Sequence, residues 1–103
     1  AQRLDVLVHC AGWKGRFNLE DSLYAGALVK SLESTHLADE DGALAMKSLF
    51  EREGHQLKKY LSKASHAKRL QNHGIESDID FCLTLDVYDL VIRLDEKGFL
   101  VPA

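Results

Sequence analysis

Proline occurs once in these 103 residues and cysteine twice, aromatic side chains make up only 8%, and the seven glycines fall in no period. Without a Pro or Gly repeat, a collagenous or repeat architecture is excluded. Two cysteines are too few for a disulfide scaffold, and a chain that is 46% hydrophobic has the means to build a core without staples. Cys10 and Cys82 therefore read as reduced thiols in the cytoplasm. No stretch approaches the roughly 18 uninterrupted apolar residues of a membrane helix, and neither an initiator Met, a basic n-region nor an apolar signal segment precedes Leu4. An excess of positive charge is missing as well: 13 Lys and Arg stand against 16 Asp and Glu, for a net charge of −3 and a pI near 5.9. Phosphate backbones and anionic membranes recruit basic surfaces, so no nucleic acid and no membrane is expected as partner. An anionic small molecule needs a local basic pocket instead. What remains is a single soluble domain over residues 1–103, or the C-terminal portion of a larger one, since domains commonly run about 100–150 residues.

The run Leu4 to His9, rich in aliphatic and β-branched residues, reads as a mostly buried strand that stops at Ala11-Gly12. Gly12-Trp13-Lys14-Gly15-Arg16 has no apolar period and two glycines, and reads as a loop; Asn18 then suits an N-cap with Asp21 at N3. The first helix follows over about Leu19 to Ser34. Its seven uncharged residues Leu23 to Val29 predict cover on several sides. Acidic start signals at Asp39, Glu40 and Asp41 open a second helix ending near Gly54. Leu57, Tyr60, Leu61 and Ala64 give a third, amphipathic helix with Lys58, Lys59 and Lys63 on its wet face, bending near Ser65 and running through Leu70 to a stop at Gly74. Ser77 with Asp80 resembles a capping box, and residues 81–87 read as a short helix. Leu90 to Leu94 reads as a strand, Asp95 to Gly98 as a hairpin turn, and Phe99 to Val101 as an edge strand closed by Pro102. The order is an α/β pattern of the three-layer α/β/α type, with too few strands here for a complete sheet.

The feature most suggestive of chemistry is the strand, glycine loop and helix start from His9 to Asp21, because ligands gather at the carboxyl ends of strands in α/β sheets and helix N-termini attract anions. Read alone, His9 and Cys10 followed by five residues and Arg16 resemble the phosphate loop of cysteine-based protein tyrosine phosphatases. The glycine falls one place early, however, and Phe17 stands where that family has Ser or Thr.

A longer string runs from Ala11 to Leu28: AGWKGRFNLEDSLYAGAL. It resembles the A-G-x-x-G-R-F-x-L-E-D-x-L-x-A-G-A-L string of the 2-phosphosulfolactate phosphatase family. A second string, Ser65-His66-Ala67-Lys68-Arg69-Leu70, then Gly74-Ile75 and Asp78-Ile79 through Cys82 to Asp86, resembles that family's C-terminal part. The resemblance implies an α/β phosphoric monoester hydrolase that depends on magnesium and converts 2-phospho-3-sulfolactate to 3-sulfolactate, a step toward coenzyme M. It also implies that the family's upstream segments, with an aspartate-bearing strand ending in Arg-Ala-Thr, are not in these residues, since Val8 and His9 follow Asp5-Val6-Leu7 where Arg and Ala belong. The 103 residues alone are then expected to be inactive, and to require the missing N-terminal half or a second copy of the chain, as in a homo-oligomer, to cover their apolar elements.

The candidate residues also have a physical case of their own. Magnesium takes one or two carboxylates with water and substrate phosphate, which suits the adjacent acids Glu20 and Asp21 as catalytic metal ligands. Neighbours on a helix point about 100° apart, so one of the two is expected to reach the metal, and both also complement the helix dipole. Arg16 suits a small anionic phosphoester through its fork, with a surface ion pair as the plain alternative. Gly12 and Gly15 suit close backbone approach to that substrate, or simply a turn. His66 and His73 share a helix face with no third ligand and read as solvated, and the basic run Lys58 to Arg69 reads as a wet face. Trp13 reads equally as a ligand cover or a plug. The rival functions are the thiolate phosphatase on Cys10 and Arg16, and a non-catalytic module whose first helix docks a partner.

Overall fold

The computed structural model of the chain describes residues 4–71 and 76–103. Asn18, extended at φ −117° and ψ 124°, caps the first helix, α1 (Leu19–Leu32): its Oδ1 accepts from the N–H groups of Glu20 (3.0 Å) and Asp21 (3.2 Å). Glu40 does the same for α2 (Asp41–Glu53), accepting from Gly42 and Ala43, so one of the three expected acidic starters is the cap itself. A single 3₁₀ turn, Gly54–Gln56, links α2 to α3 (Leu57–Leu61), with Gln56 at φ −141° and ψ 43° interrupting the helical path. The bend expected near Ser65 is present, since residues 62–64 leave the helix before α4 (Ser65–Gln71) resumes it. The expected stop at Gly74 lies outside the described residues.

Leu23 of α1, Leu61 of α3 and Ala64 beyond it form the buried core, with Leu19, Leu49, Phe50, Leu57, Tyr60 and Leu83 packed against them. The apolar stripe read from Leu57 to Ala64 thus faces inward. Lys58 faces outward, where it pairs with Asp80 at 2.6 Å. Helices α1 and α2 meet backbone to backbone at Gly26, where an added Cβ would stand 2.1 Å from the Met46 carbonyl oxygen. Charge ties the same pair: Glu33, at the end of α1, pairs with Lys30 and with Lys47 of α2 (2.9 Å). These two ammonium groups, Lys30 foremost, hold the Glu33 carboxyl below its ordinary value. Buried Glu53 is satisfied by Gln56 Nε2 and Arg52 Nε, each at 2.9 Å, and Gln56 foremost lowers its pKa.

The strands of the described residues are β1 (Ile92–Leu94) and β2 (Leu100–Pro102), paired antiparallel with Arg93 opposite Val101. Their connection is built by Asp95: its carbonyl accepts from Gly98 N–H, its carboxylate accepts from Lys97 and Phe99 N–H, and Gly98 takes φ +84°. This is a turn closed by a left-handed glycine, as such hairpins require. The hairpin face that carries Ile92, Leu94 and Leu100 is exposed, and on the other face Val101 is half-buried.

The main departure from expectation is Leu4 to His9, which forms no strand, with Leu7 88% exposed. A strand exists only by pairing, and among the described residues β1 and β2 pair with each other, leaving this segment only an exposed contact from its Leu4 carbonyl to His36 Nε2. The fold described is therefore of the α/β class, helices beside one small antiparallel sheet. Two smaller differences follow from local chemistry. Ser77 sits inside α5 (Glu76–Cys82) and not at its cap, and residues 83–87 leave the helix after Leu83 N–H and Thr84 N–H bond back to Ile79 and Phe81. Cover of the first helix comes from α2 at Gly26 and from α3 at Leu23, with Ala25, Ala27, Leu28 and Val29 half-buried; of its uncharged run only Tyr24 is exposed, at 66%.

Candidate functional site

The glycine loop folds as a tight hairpin. Trp13 and Arg16 exchange both backbone hydrogen bonds, Trp13 N–H to the Arg16 carbonyl at 3.0 Å and Arg16 N–H to the Trp13 carbonyl at 2.9 Å. The two residues between them both have positive φ, Lys14 at +50° and Gly15 at +71°, the signature of a type I′ turn. Directly opposed residues in such a pair put their side chains on one face. Gly12, also at φ +71°, precedes the turn, and a Cβ there would stand 2.7 Å from the Arg16 carbonyl oxygen, so glycine is required on two counts. Its N–H donates to Asp21 Oδ2 at 2.8 Å, which ties the loop to the first turn of α1.

That hairpin and the start of α1 form one wall of a cavity of about 510 Å³ through Trp13, Lys14, Arg16, Phe17, Asn18 and Glu20; Ala64, Ser65, His66 and Arg69 form the other. The Arg69 guanidinium lies 4.8 Å over the Trp13 ring and the Lys14 ammonium 5.8 Å from it, both within cation–π range. The His66 ring is tilted 54° to that of Trp13 at 6.4 Å. Three cationic side chains thus line a small cavity with one carboxylate, Glu20. None of the three has an ion-pair partner among the described residues. A second cavity of about 420 Å³ lies between α1, α3, α4 and α5, but Leu23, Leu57, Leu61, Ile79 and Leu83 make it apolar. Desolvating a multiply charged anion there would go uncompensated, so the basic cavity is the candidate site.

The family described as 2-phosphosulpholactate phosphatase matches residues 1–97. The chain belongs to that family. Among its relatives, a probable 2-phosphosulfolactate phosphatase of Thermotoga maritima is 43% identical over 97 residues, covering 94% of this chain and 42% of that protein. One of Gloeobacter violaceus with the same description is 40% identical over 96 residues, covering 93% of this chain and 39% of that protein. The chain therefore spans about two-fifths of the length of the curated relatives it matches.

Within this 2-phosphosulfolactate phosphatase family member, the residues singled out from sequence divide in two. Arg16 and Glu20 line the basic cavity together. Asp21, Gly12 and Gly15 do not: Asp21 and Gly12 hold each other, and Gly15 completes the turn. Cys10 is exposed and outside the cavity, the Trp13 and Arg16 amides bond to each other and the Gly12 amide to Asp21, so no cradle of these amides forms beside its thiol. His66 lines the cavity, whereas His73 lies outside the described residues. Trp13, ambiguous in sequence, forms part of the cavity wall. Arg69 was passed over as one charge of a wet face; the signal that pointed to it is its place three residues after His66 in the second family string. Among the described residues no group of three or more His, Cys, Asp or Glu gathers to hold a metal. Glu20 offers the one carboxylate among the residues lining the cavity, and that carboxylate makes no side-chain hydrogen bond or ion pair among the described residues, which fits an ion that takes one or two carboxylates and completes its shell with water and phosphate oxygens. No helix among them is long and apolar enough to cross a membrane.

Proposed function

We propose that the protein is a magnesium-dependent phosphatase of a small anionic phosphoester, 2-phospho-3-sulfolactate, which it converts to 3-sulfolactate and phosphate in the cytoplasm, as in coenzyme M synthesis. The observation that carries the reading is the convergence of Lys14, Arg16 and Arg69 on the cavity that also holds the Glu20 carboxylate. In the net reaction the ester P–O bond breaks, a P–O bond to an oxygen from water forms, and the departing alcohol takes up a proton.

Arg16 presents a rigid fork that matches phosphoryl oxygens, and Lys14 adds a mobile point charge beside it. Glu20 would hold Mg²⁺, which when bound neutralises charge on the phosphoryl oxygens. Asp21 acts one step back, fixing through Gly12 the hairpin that carries Lys14 and Arg16. The reading carries with it a three-layer α/β/α sheet to which residues 4–9 add a strand, and a homo-oligomer or other part of the protein over the apolar surface. The exposed Leu4, Val6 and Leu7 support this.

The test is steady-state turnover of the phosphoester by the full protein. Chelator is expected to abolish it, Glu20→Gln to raise the magnesium concentration for half-activity by about tenfold or more, and Cys10→Ser to spare most of it. Activity that survives chelator and disappears in Cys10→Ser would sink the proposal in favour of thiolate chemistry.

A further inference from the structure

Arg69 donates through Nη2 to His66 Nδ1 at 3.2 Å. A guanidinium has no acceptor, so the imidazole nitrogen must be the accepting one, and a neutral His66 then carries its proton on Nε2. Arg69 is braced twice: its guanidinium carbon lies over the Trp13 ring, and one of its N–H groups is held by His66. Both it and His66 are half-buried, unlike exposed Lys14 and Arg16 on the facing loop. A braced, partly desolvated fork loses little freedom on taking an anion and discriminates by geometry as well as charge. With no carboxylate in ion-pairing range among the described residues, its remaining donors are available to the cavity.

We propose that Arg69, positioned by Trp13 and His66, forms a second anion subsite opposite that of Arg16 and selects phosphoesters that carry a sulfonate. This rests on the phosphatase reading for the first subsite. The ligand class is a small phosphomonoester with a sulfonate at the far end: Arg16 holds the phosphoryl group, and the Arg69 fork with the His66 N–H holds the sulfonate. Three sulfonate oxygens suit several convergent donors, whereas a methyl group in the same place would leave them unpaired.

The experiment compares two esters that differ only there, 2-phospho-3-sulfolactate and 2-phospholactate, with the full protein and its Arg69→Gln and Arg16→Gln variants. Arg69→Gln is expected to lower the ratio of kcat/KM for the sulfonated over the plain ester by about tenfold or more. Arg16→Gln should lower kcat/KM for both and keep the ratio near its original value. Equal loss on both esters in Arg69→Gln would overturn the subsite. If that variant does not fold, Arg69→Lys, which keeps the charge over Trp13 but loses the fork, enters the same comparison with a smaller expected fall. Calorimetric binding of 3-sulfolactate separates the two proposals: weakening of about tenfold or more in the Arg69 variant supports the subsite even where no ester is hydrolysed, while unchanged binding removes it even where hydrolysis proceeds.

Discussion

Lys14 holds φ +50° in a turn where glycine or asparagine is the ordinary occupant. The left-handed backbone at Lys14 and Gly15 turns the chain in two residues, so that Trp13 and Arg16 stand opposite each other and line the same cavity. Since Arg16 is held in place by its backbone and its side chain is exposed, Arg16→Lys should leave folding almost unchanged. It keeps the charge but loses the bidentate geometry, and should cost on the order of 1.5–3 kcal/mol of transition-state binding, read as a fall in kcat/KM. Unaltered kinetics would make Arg16 an ordinary surface residue. At this scale part of the candidate site was legible: an anion loop would ask for glycines, a fork and an acid near a helix start, and of the residues so chosen Arg16 and Glu20 line one cavity. What one-dimensional reading missed is which groups are already engaged. Nothing in the spacing of Gly12 and Asp21 tells that one will bind the other, and Arg69 is one basic residue among five until α4 brings it over Trp13.

Gly26 shows what holds the helices in register. Alanine there would gain about 1 kcal/mol of helix propensity, but its Cβ would stand 2.1 Å from the Met46 carbonyl oxygen, which is backbone and cannot rotate aside. Forcing the helices apart typically costs about 1–3 kcal/mol and occasionally more, so Gly26→Ala should be net destabilising, measured as a lower denaturant midpoint. The ion pairs across the same helices give a pH-dependent counterpart. Glu33 has its folded pKa depressed from an ordinary 4.5, so its contribution to stability is fully present above that value and is lost as the pH falls through the lower folded one. Glu33→Gln should therefore lower Tm slightly at neutral pH and low salt, with the difference from the parent protein vanishing in strong acid and shrinking at high salt. Helices were the most legible elements because caps and apolar spacing are local signals: Asn18, Glu40 and the Leu57 to Ala64 stripe act as their positions suggest. Residues 4–9 were the least so, since pairing depends on a neighbour that aliphatic composition does not specify.

On the scale of the whole molecule, the buried apolar core reduces to Leu23, Leu61, Ala64 and Ala67 among the described residues, while large side chains from Leu4 to Leu100 remain wet. The stability that holds the parts together is accordingly uneven. The α1–α2 pair has close backbone contact and bridging charges; the β1–β2 hairpin has only its own hydrogen bonds and an Asp95 turn, and a lone two-stranded ribbon is marginal in water. Amide hydrogen–deuterium exchange followed by mass spectrometry should consequently find the α1 and α2 amides slow, and those of Ile92 to Leu94 and Leu100 to Val101 close to the rate of an open chain. Strand amides as slow as helix amides would mean that the hairpin is covered in solution. The hairpin is thus a built-in sensor of assembly: because its own protection is nearly nil, any surface that settles on it, from another part of the protein or a second copy, would show as slowed exchange at those few amides before the helices register anything.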